Sequence, residues 1–293
     1  DFVTTSPANG SNLIQTDVLG GSFIDALFSR SIILDQVTTL TGNTGDIAIP
    51  KMATTTSAAW YTETGQINDS TPTISQIGLS PKSIAAFTEV SRRMIQQASN
   101  DVEALLRRDM ANQIASAIDA AILEGGGSNE PTGVIQTGGI GSVALGTNGG
   151  AITYESLVDL VKEVSVDNAL DGNLAYVTNP KVMAAMRQTP RQTGGVEGSF
   201  ILGEQNSLHG YPVFSTNNCP SDLTKGTASG VCSAVVFGNW QDVIVAFWSN
   251  LEILVDPYTK ANQQLISLRA VQDLDVAIRH PESFAAIVDV TTA

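Results

Sequence analysis

The residue types that do chemistry are sparse in this sequence, and their spacing assembles no site. There are two histidines, His209 and His280, and neither stands in a His/Asp/Glu cluster with metal-ligand spacing. His209 lies in Leu208-His209-Gly210-Tyr211-Pro212, which reads as a turn before a strand. No G-x-S-x-G elbow positions a serine nucleophile. Gly125-Gly126-Gly127-Ser128 lacks the following lysine of a phosphate-binding loop. Gly138-Gly139-Ile140-Gly141 lacks a clear strand before it and a helix after it. Glu124 and Glu130 flank glycines, but two nearby carboxylates alone do not make an acid/base pair. The sequence therefore predicts no catalytic residue, no cofactor-binding residue and no metal ligand.

Cys219 and Cys232 bracket the polar stretch PSDLTKGTASGV. Two thiols without a nearby histidine build no metal framework. They read either as reduced thiols, as a reducing cytosol favours, or as a staple across a hairpin worth about 3 kcal/mol.

Composition narrows the class. Over 293 residues, 42% are hydrophobic and only 15% charged, which excludes a disordered chain and leaves much neutral surface for protein contacts. A chain this long buries roughly 75% of its unfolded surface and needs no disulfide or metal to fold. The net charge of −14 comes from 29 acidic residues against 15 scattered basic ones. Tight nucleic-acid binding needs clustered Lys and Arg to displace counterions, so it is not expected. No apolar run reaches about 18 residues, so no membrane span is expected. The first residues, DFVTTSPANGSN, have neither the basic start nor the apolar stretch of a signal peptide.

The elements follow from periodicity. Residues 1–20 read as an extended arm, and Ser22 with Asp25 caps a short helix at Ala26-Leu27-Phe28. A strand at Asp46-Ile47-Ala48-Ile49-Pro50 follows the turn signals Gly42-Asn43 and Gly45. Residues 51–82 are rich in Thr, Ser and Ile, which favour extended backbone, yet lack the large apolar residues of a core. So long a structureless loop is improbable, and the segment reads as a two-stranded arm projecting from the body. An isolated hairpin is marginal in water, so the arm is expected to find its partner on another subunit.

The clearest element is a helix over about 101–124. Asn100 is its expected cap, with Glu103 completing a capping box, and Gly125-Gly126-Gly127 ends it. Val102, Leu105, Leu106, Met110, Ile114, Ile118, Ala121 and Ile122 form its apolar stripe. From residue 152 the pattern becomes α/β. Thr153 caps a helix whose expected face is Tyr154, Leu157, Val158, Val161 and Val164. A strand at 174–177 then leads to a helix opening at Asn179-Pro180. Gly194, Gly195 and Gly198 mark a loop, and strands are expected at 211–215, 231–237 and 243–248.

In the last third Ile266, Leu268, Ala270, Leu274, Val276 and Ile278 alternate with Arg269, Asp273, Asp275 and Arg279. The charged face reads either as a solvated sheet face or as a set of intersubunit pairs that fixes register.

The run SRRMIQQASNDVEALLRRDMANQIASAIDAAILEGGGSNEPTGVIQT resembles the spine-helix region of tailed-bacteriophage major capsid proteins. Ala58-Ala59-Trp60-Tyr61-Thr62-Glu63 resembles the outgoing strand of that family's extended loop, and Leu208-His209-Gly210-Tyr211-Pro212-Val213 resembles a step in its axial domain. Asn262-Gln263 through Arg269 to His280-Pro281-Glu282-Ser283-Phe284 resembles its closing peripheral strands. The resemblance covers about residues 40–290. It implies an α+β fold, the Hong Kong ninety-seven phage capsid fold, in four parts. These are an N-terminal arm (1–40), an extended β loop (41–90), a peripheral domain with the spine helix (91–150 and 251–293) and an α/β axial domain (151–250).

The resemblance implies a structural major capsid protein, not an enzyme. Its partners are copies of itself in hexamers and pentamers on an icosahedral lattice, with room for portal and decoration or cement proteins. Such a shell encloses double-stranded DNA without binding it specifically, resides in the virion and is assembled in the host cytoplasm. An encapsulin-like cellular compartment with the same fold is the alternative. The resemblance also implies a longer precursor cut before Asp1. Relatives that cross-link covalently need a loop lysine, and residues 52–81 contain none. Val271 and Gln272 stand where the catalytic Glu of those relatives aligns, so no covalent lattice is expected.

Overall fold

The structure, a computed structural model, describes residues 31–63, 66, 69–97, 102–191, 200–203 and 205–292. The arm at 1–20, the helix capped by Ser22, the Asn100 cap and the glycines at 194, 195 and 198 lie outside the described residues. The first elements are β1 (Thr38–Leu40), β2 (Ile47–Thr54), β3 (Thr73–Leu79), β4 (Lys82–Ser91), α1 (Arg92–Gln97) and α2 (Val102–Glu124). They are followed by β5 (Gly141–Ser142), α3 (Tyr154–Val166), β6 (Leu174–Thr178), α4 (Pro180–Gln188), β7 (Ser207–Leu208) and β8 (Tyr211–Ser215). The chain closes with β9 (Leu223–Lys225), β10 (Ala228–Asn239), β11 (Val243–Phe247), β12 (Glu252–Asp256), β13 (Leu265–Ile278) and β14 (Phe284–Thr291).

Three sheets result. β13 is the spine of a five-stranded sheet, flanked by β11 and β12 on one side and by β4 on the other, with β1 outside β11. A seven-stranded sheet runs β5-β14-β10-β6-β8-β7, with β9 also on β10. Among the described residues β2 and β3 pair only with each other. The sheets cross the boundaries expected from sequence. β4 lies in 41–90 but for its last residue, Ser91, and pairs with β13, β11 lies within 151–250 but also pairs with β13, and β14 lies within 251–293 but pairs with β10. Backbone pairing over long separations overrides sequence adjacency.

Alternation along the strands builds two cores from one sheet. Ala175, Val177, Ala234 and Val236 face a cluster with Met110, Ile114, Ile118 and Ile122 of α2 and Leu268 and Ala270 of β13. Tyr176, Val235, Phe237 and Ile287 face the other way, onto Leu157, Leu160 and Val164 of α3 and Val182 and Met186 of α4. A sheet covered on both faces needs near-continuous apolar strands, which is why 231–237 carries no charge. Each fully buried Ile or Leu contributes roughly 1.5–3 kcal/mol.

α2 spans ~34 Å at 1.5 Å per residue. Its stripe is largely the expected one, and it buries one residue that periodicity does not favour, Asp119. Asp119 accepts from Ser31 Oγ at 2.9 Å and from the Ile32 amide at 2.8 Å, tying the incoming chain to the helix. Gly133 returns against the helix end. Its N–H donates to the Gly125 carbonyl at 2.8 Å, and a Cβ there would sit 2.5 Å from the Gly125 nitrogen.

Thr153 and Asn179 cap α3 and α4 as expected, accepting from the Ser156 and Val182 amides. Two expectations are corrected. Val158 is 41% exposed and Leu160 is buried in its place, because the face of α3 is set by the sheet beneath it. The charged face of β13 is not uniformly solvated either. Asp275 is buried, because Lys82 and the Ser80 and Val276 amides converge on it.

Candidate assembly surfaces

The β2–β3 hairpin is rooted in the body and bare beyond it. Ile47 and Ile49 pack with Leu79, Ile244, Ala246 and Trp248, and the Trp248 indole donates to the Gly45 carbonyl at 2.7 Å. Alternation turns the opposite ribbon face outward. There Met52 pairs across the strands with Ile74, and both are exposed, Ile74 by 75%. The Thr54 and Thr73 hydroxyls, 2.8 Å apart, hold the strands together where they diverge. Trp60, in the connecting segment, is fully exposed at 104%. The segment 52–81 carries Glu63 and Asp69 and no basic residue.

A second bare surface lies on the five-stranded sheet, on the side away from α2. Phe87 of β4 pairs with Arg269 of β13, which pairs with Leu254 of β12, so the three side chains form one outward row. Ala85, Val271 and Glu252 form the next. Leu254 is 60% exposed, and Phe87 and Val271 are exposed beside it. Arg269 and Lys260 lie 5.7 Å and 5.9 Å from the Phe87 ring centroid, within cation–π range. Lys260 also pairs with Glu89. The row is therefore apolar at both ends with a guanidinium at its centre, and the Lys260–Glu89 pair stands beside it. Sequence reasoning missed it, although Ile84, Ala86, Thr88 and Val90 alternate strictly with Ala85 and Phe87.

The residue types that do chemistry are dispersed. His280 is exposed, whereas His209 sits in the turn between β7 and β8 against Tyr176. Cys219 and Cys232 are both buried and unpaired, so the staple is not formed. Burial, and then the Glu124 carboxylate, push the Cys219 thiol far up, which keeps it from acting as a nucleophile. Glu124 is raised by burial first, then by Asp222 and Glu130. Gly141 is not purely loop, since it opens β5 alongside β14. Among the described residues no group of three or more His, Cys, Asp or Glu is arranged to hold a metal. Among them, too, no helix is long and apolar enough to cross a membrane.

A long helix beneath two interlocked sheets, with a β ribbon projecting from them, is the architecture of the phage capsid fold. The chain belongs to the phage capsid family, which it matches over residues 10–289. It is 29% identical over 282 residues to the major capsid protein of Halomonas phage phiHAP-1, covering 96% of this chain and 44% of that protein. It is 23% identical over 301 residues to the major capsid protein of Klebsiella oxytoca phage phiKO2, covering 96% of this chain and 68% of that one. The chain thus spans less than half the length of the first relative. Among solved structures, the capsid of a native GTA particle computed with C5 symmetry superposes with a TM-score of 0.80 at 20% identity, covering 99% of both chains. A structure from Microbacterium phage Oxtober96 gives 0.76 at 17% identity, covering 97% of this chain and 98% of that one. These two likenesses show the fold.

Proposed function

We propose that this chain is a structural subunit of an icosahedral phage shell, built from hexamers and pentamers, that encloses double-stranded DNA and has no enzymatic activity. The observation that carries the reading is the β2–β3 ribbon. Its Met52–Ile74 pair and Trp60 have no cover from the described residues, and a two-stranded ribbon is marginal alone in water. A family of capsid proteins and an arm with no partner of its own point to the same thing, a neighbouring copy. The relatives are phage capsid proteins, which favours this reading over an encapsulin-like compartment.

The mechanism is mechanical. The ribbon of one copy lies across the next, and the row Phe87–Arg269–Leu254 is a fitting seat, with Arg269 at its centre for a ribbon tip whose charges are acidic. Ribbon and seat are different surfaces, so the contact is heterologous, the type that generates rings when its rotation closes. Obligate contacts of this kind bury on the order of 2,000 Å² or more. The segments 1–40, 41–90, 91–150 with 251–293, and 151–250 serve as arm, extended loop, peripheral and axial regions. A net charge of −14 suits an inner wall that must not adhere to packaged DNA. Assembly takes place in the host cytoplasm, with portal and decoration proteins as further partners.

Electron microscopy and light scattering of the purified protein test the proposal. Closed shells are expected, and only monomers or dimers at every concentration would overturn it. With no lysine between residues 52 and 81, boiled and reduced shells are expected to run as single chains.

A further inference from the structure

The β7–β8 connection is two residues long, His209 and Gly210, closed by the pairs Ser207 with Pro212 and Leu208 with Tyr211. Both connecting residues have left-handed backbone, with φ of 53° and 87°, the pattern of a type I′ hairpin turn. Gly adopts it freely, whereas His is an uncommon choice and must be held there. The holding contact is Nδ1 of His209, 3.0 Å from the Tyr176 hydroxyl. That hydroxyl also donates to the Leu157 carbonyl of α3 at 3.3 Å. A phenol has one proton, and a carbonyl only accepts. The Tyr176 O–H is therefore committed to Leu157, and Nδ1–H of His209 donates to the phenol oxygen.

This fixes the tautomer and leaves Nε2 a bare lone pair. Nε2 is buried and has no partner among the described residues. An under-used acceptor there is tolerable, whereas an N–H without an acceptor costs far more. The opposite tautomer would create that orphaned donor, and so would protonation. The groups around the ring offer no compensation. From α3 come Tyr154, whose ring centroid is 5.0 Å away, and Lys162, which Asp159 and Glu163 hold at 3.7 Å and 3.8 Å. From β6 comes Tyr176, at 6.3 Å between centroids, and Tyr211 adjoins on β8. Beyond α4, Arg191 lies over Tyr154 at 5.3 Å. Among the described residues the shell is phenolic and cationic, with its two carboxylates, Asp159 and Glu163, engaged by Lys162. His209 also lines a cavity of about 580 Å³ with Val158, Val161, Lys162, Ser165 and Val166.

We propose that His209 is an acid-sensitive latch: protonation at Nε2 creates a buried N–H with no acceptor among the described residues, so the charged ring leaves its seat on Tyr176 and frees the β7–β8 turn from α3. β7 is an edge of the seven-stranded sheet, so the latch loosens that sheet from its rim. Burial, and then Arg191, hold the imidazole below its ordinary titration range, in line with this geometry. The sign follows. With the folded-state value depressed, the stabilisation is present above about 6.5, the ordinary histidine value, and is lost as pH falls through the folded value.

The test uses protein labelled with 15N-histidine, whose two histidines are separated by a His280→Asn control. The nitrogen shifts should show Nδ1 protonated and Nε2 bare at neutral pH, with His209 titrating below pH 6.5. Tyr176→Phe removes the acceptor that fixes the tautomer, so the nitrogen shifts should then show both neutral forms in exchange. His209→Asn keeps a residue that tolerates left-handed backbone and is neutral at every pH. It should lose clearly less Tm than wild type between pH 7.5 and 5.5. A protonated Nε2 at neutral pH, an unshifted titration, or an equal Tm loss in His209→Asn would each overturn the latch. The nuclear shifts decide the matter even if the Asn variant folds poorly.

Discussion

Nζ of Lys82 lies 3.0 Å from Oδ1 of Asp275, joining the first residue of β4 to a buried carboxylate on β13. The Ser80 amide donates to the other oxygen at 3.0 Å, so one side chain fixes the point where the ribbon re-enters the body. Asp275→Ala strands an ammonium and two amides and should cost roughly 2 kcal/mol. Lys82→Ala should cost less, since both amides still satisfy the carboxylate. Urea midpoints of the two variants give the order, and the reverse order would contradict this account of the root.

Asp119 holds the chain at Ser31 and Ile32 from inside α2. Asp119→Ala leaves those donors and a small cavity, and should destabilise by roughly 2–3 kcal/mol. Asp119→Asn keeps one acceptor and should fall between wild type and Ala. Limited proteolysis should cut first just before β1 in the Ala variant.

Glu124 ends α2, and its carboxyl is raised by burial, then by Asp222 and Glu130. With a raised folded-state value, its stabilisation is full below about 4.5 and is lost as pH rises through the folded value. Glu124→Gln is neutral throughout. It should therefore be more stable than wild type at pH 7 and indistinguishable from it below pH 4.5. Melting curves across that range check the crossover.

Every described residue from 54 to 76 except Ser70 is exposed. Replacing 54–76 with a short Gly-Asn turn should leave the circular dichroism and melting of the subunit nearly unchanged. Sedimentation should then show small oligomers in place of shells. Normal shells from the shortened chain would mean that the ribbon is decoration.

How much was legible depended on the range of the interaction. The stripe of α2, the Thr153 and Asn179 caps and the strand at Tyr211–Ser215 rest on neighbours a few residues apart, and the structure has them where sequence places them. The bareness of 54–76 was legible from composition. What escaped depends on partners far along the chain. Nothing near Asp275 announces Lys82, and nothing near Asp119 announces Ser31. The exposed row through Phe87, Arg269 and Leu254 exists only once three separate strands are in register. The same holds for His209, whose constraint is a tyrosine on another strand.

The pairing of β4 with β13 also sets an order of events during synthesis. The ribbon strands are neighbours in sequence and can close as soon as Leu79 has emerged. The partner of Ser91 is Leu265, and at about 5–20 residues per second it follows on the order of ten seconds or more later. Throughout that interval a nascent chain holds both ribbon strands but neither β12 nor β13, so the row through Phe87, Arg269 and Leu254 does not yet exist. Under the proposed contact such a chain can offer its ribbon to completed copies, yet it has no seat to offer in return until it is nearly complete.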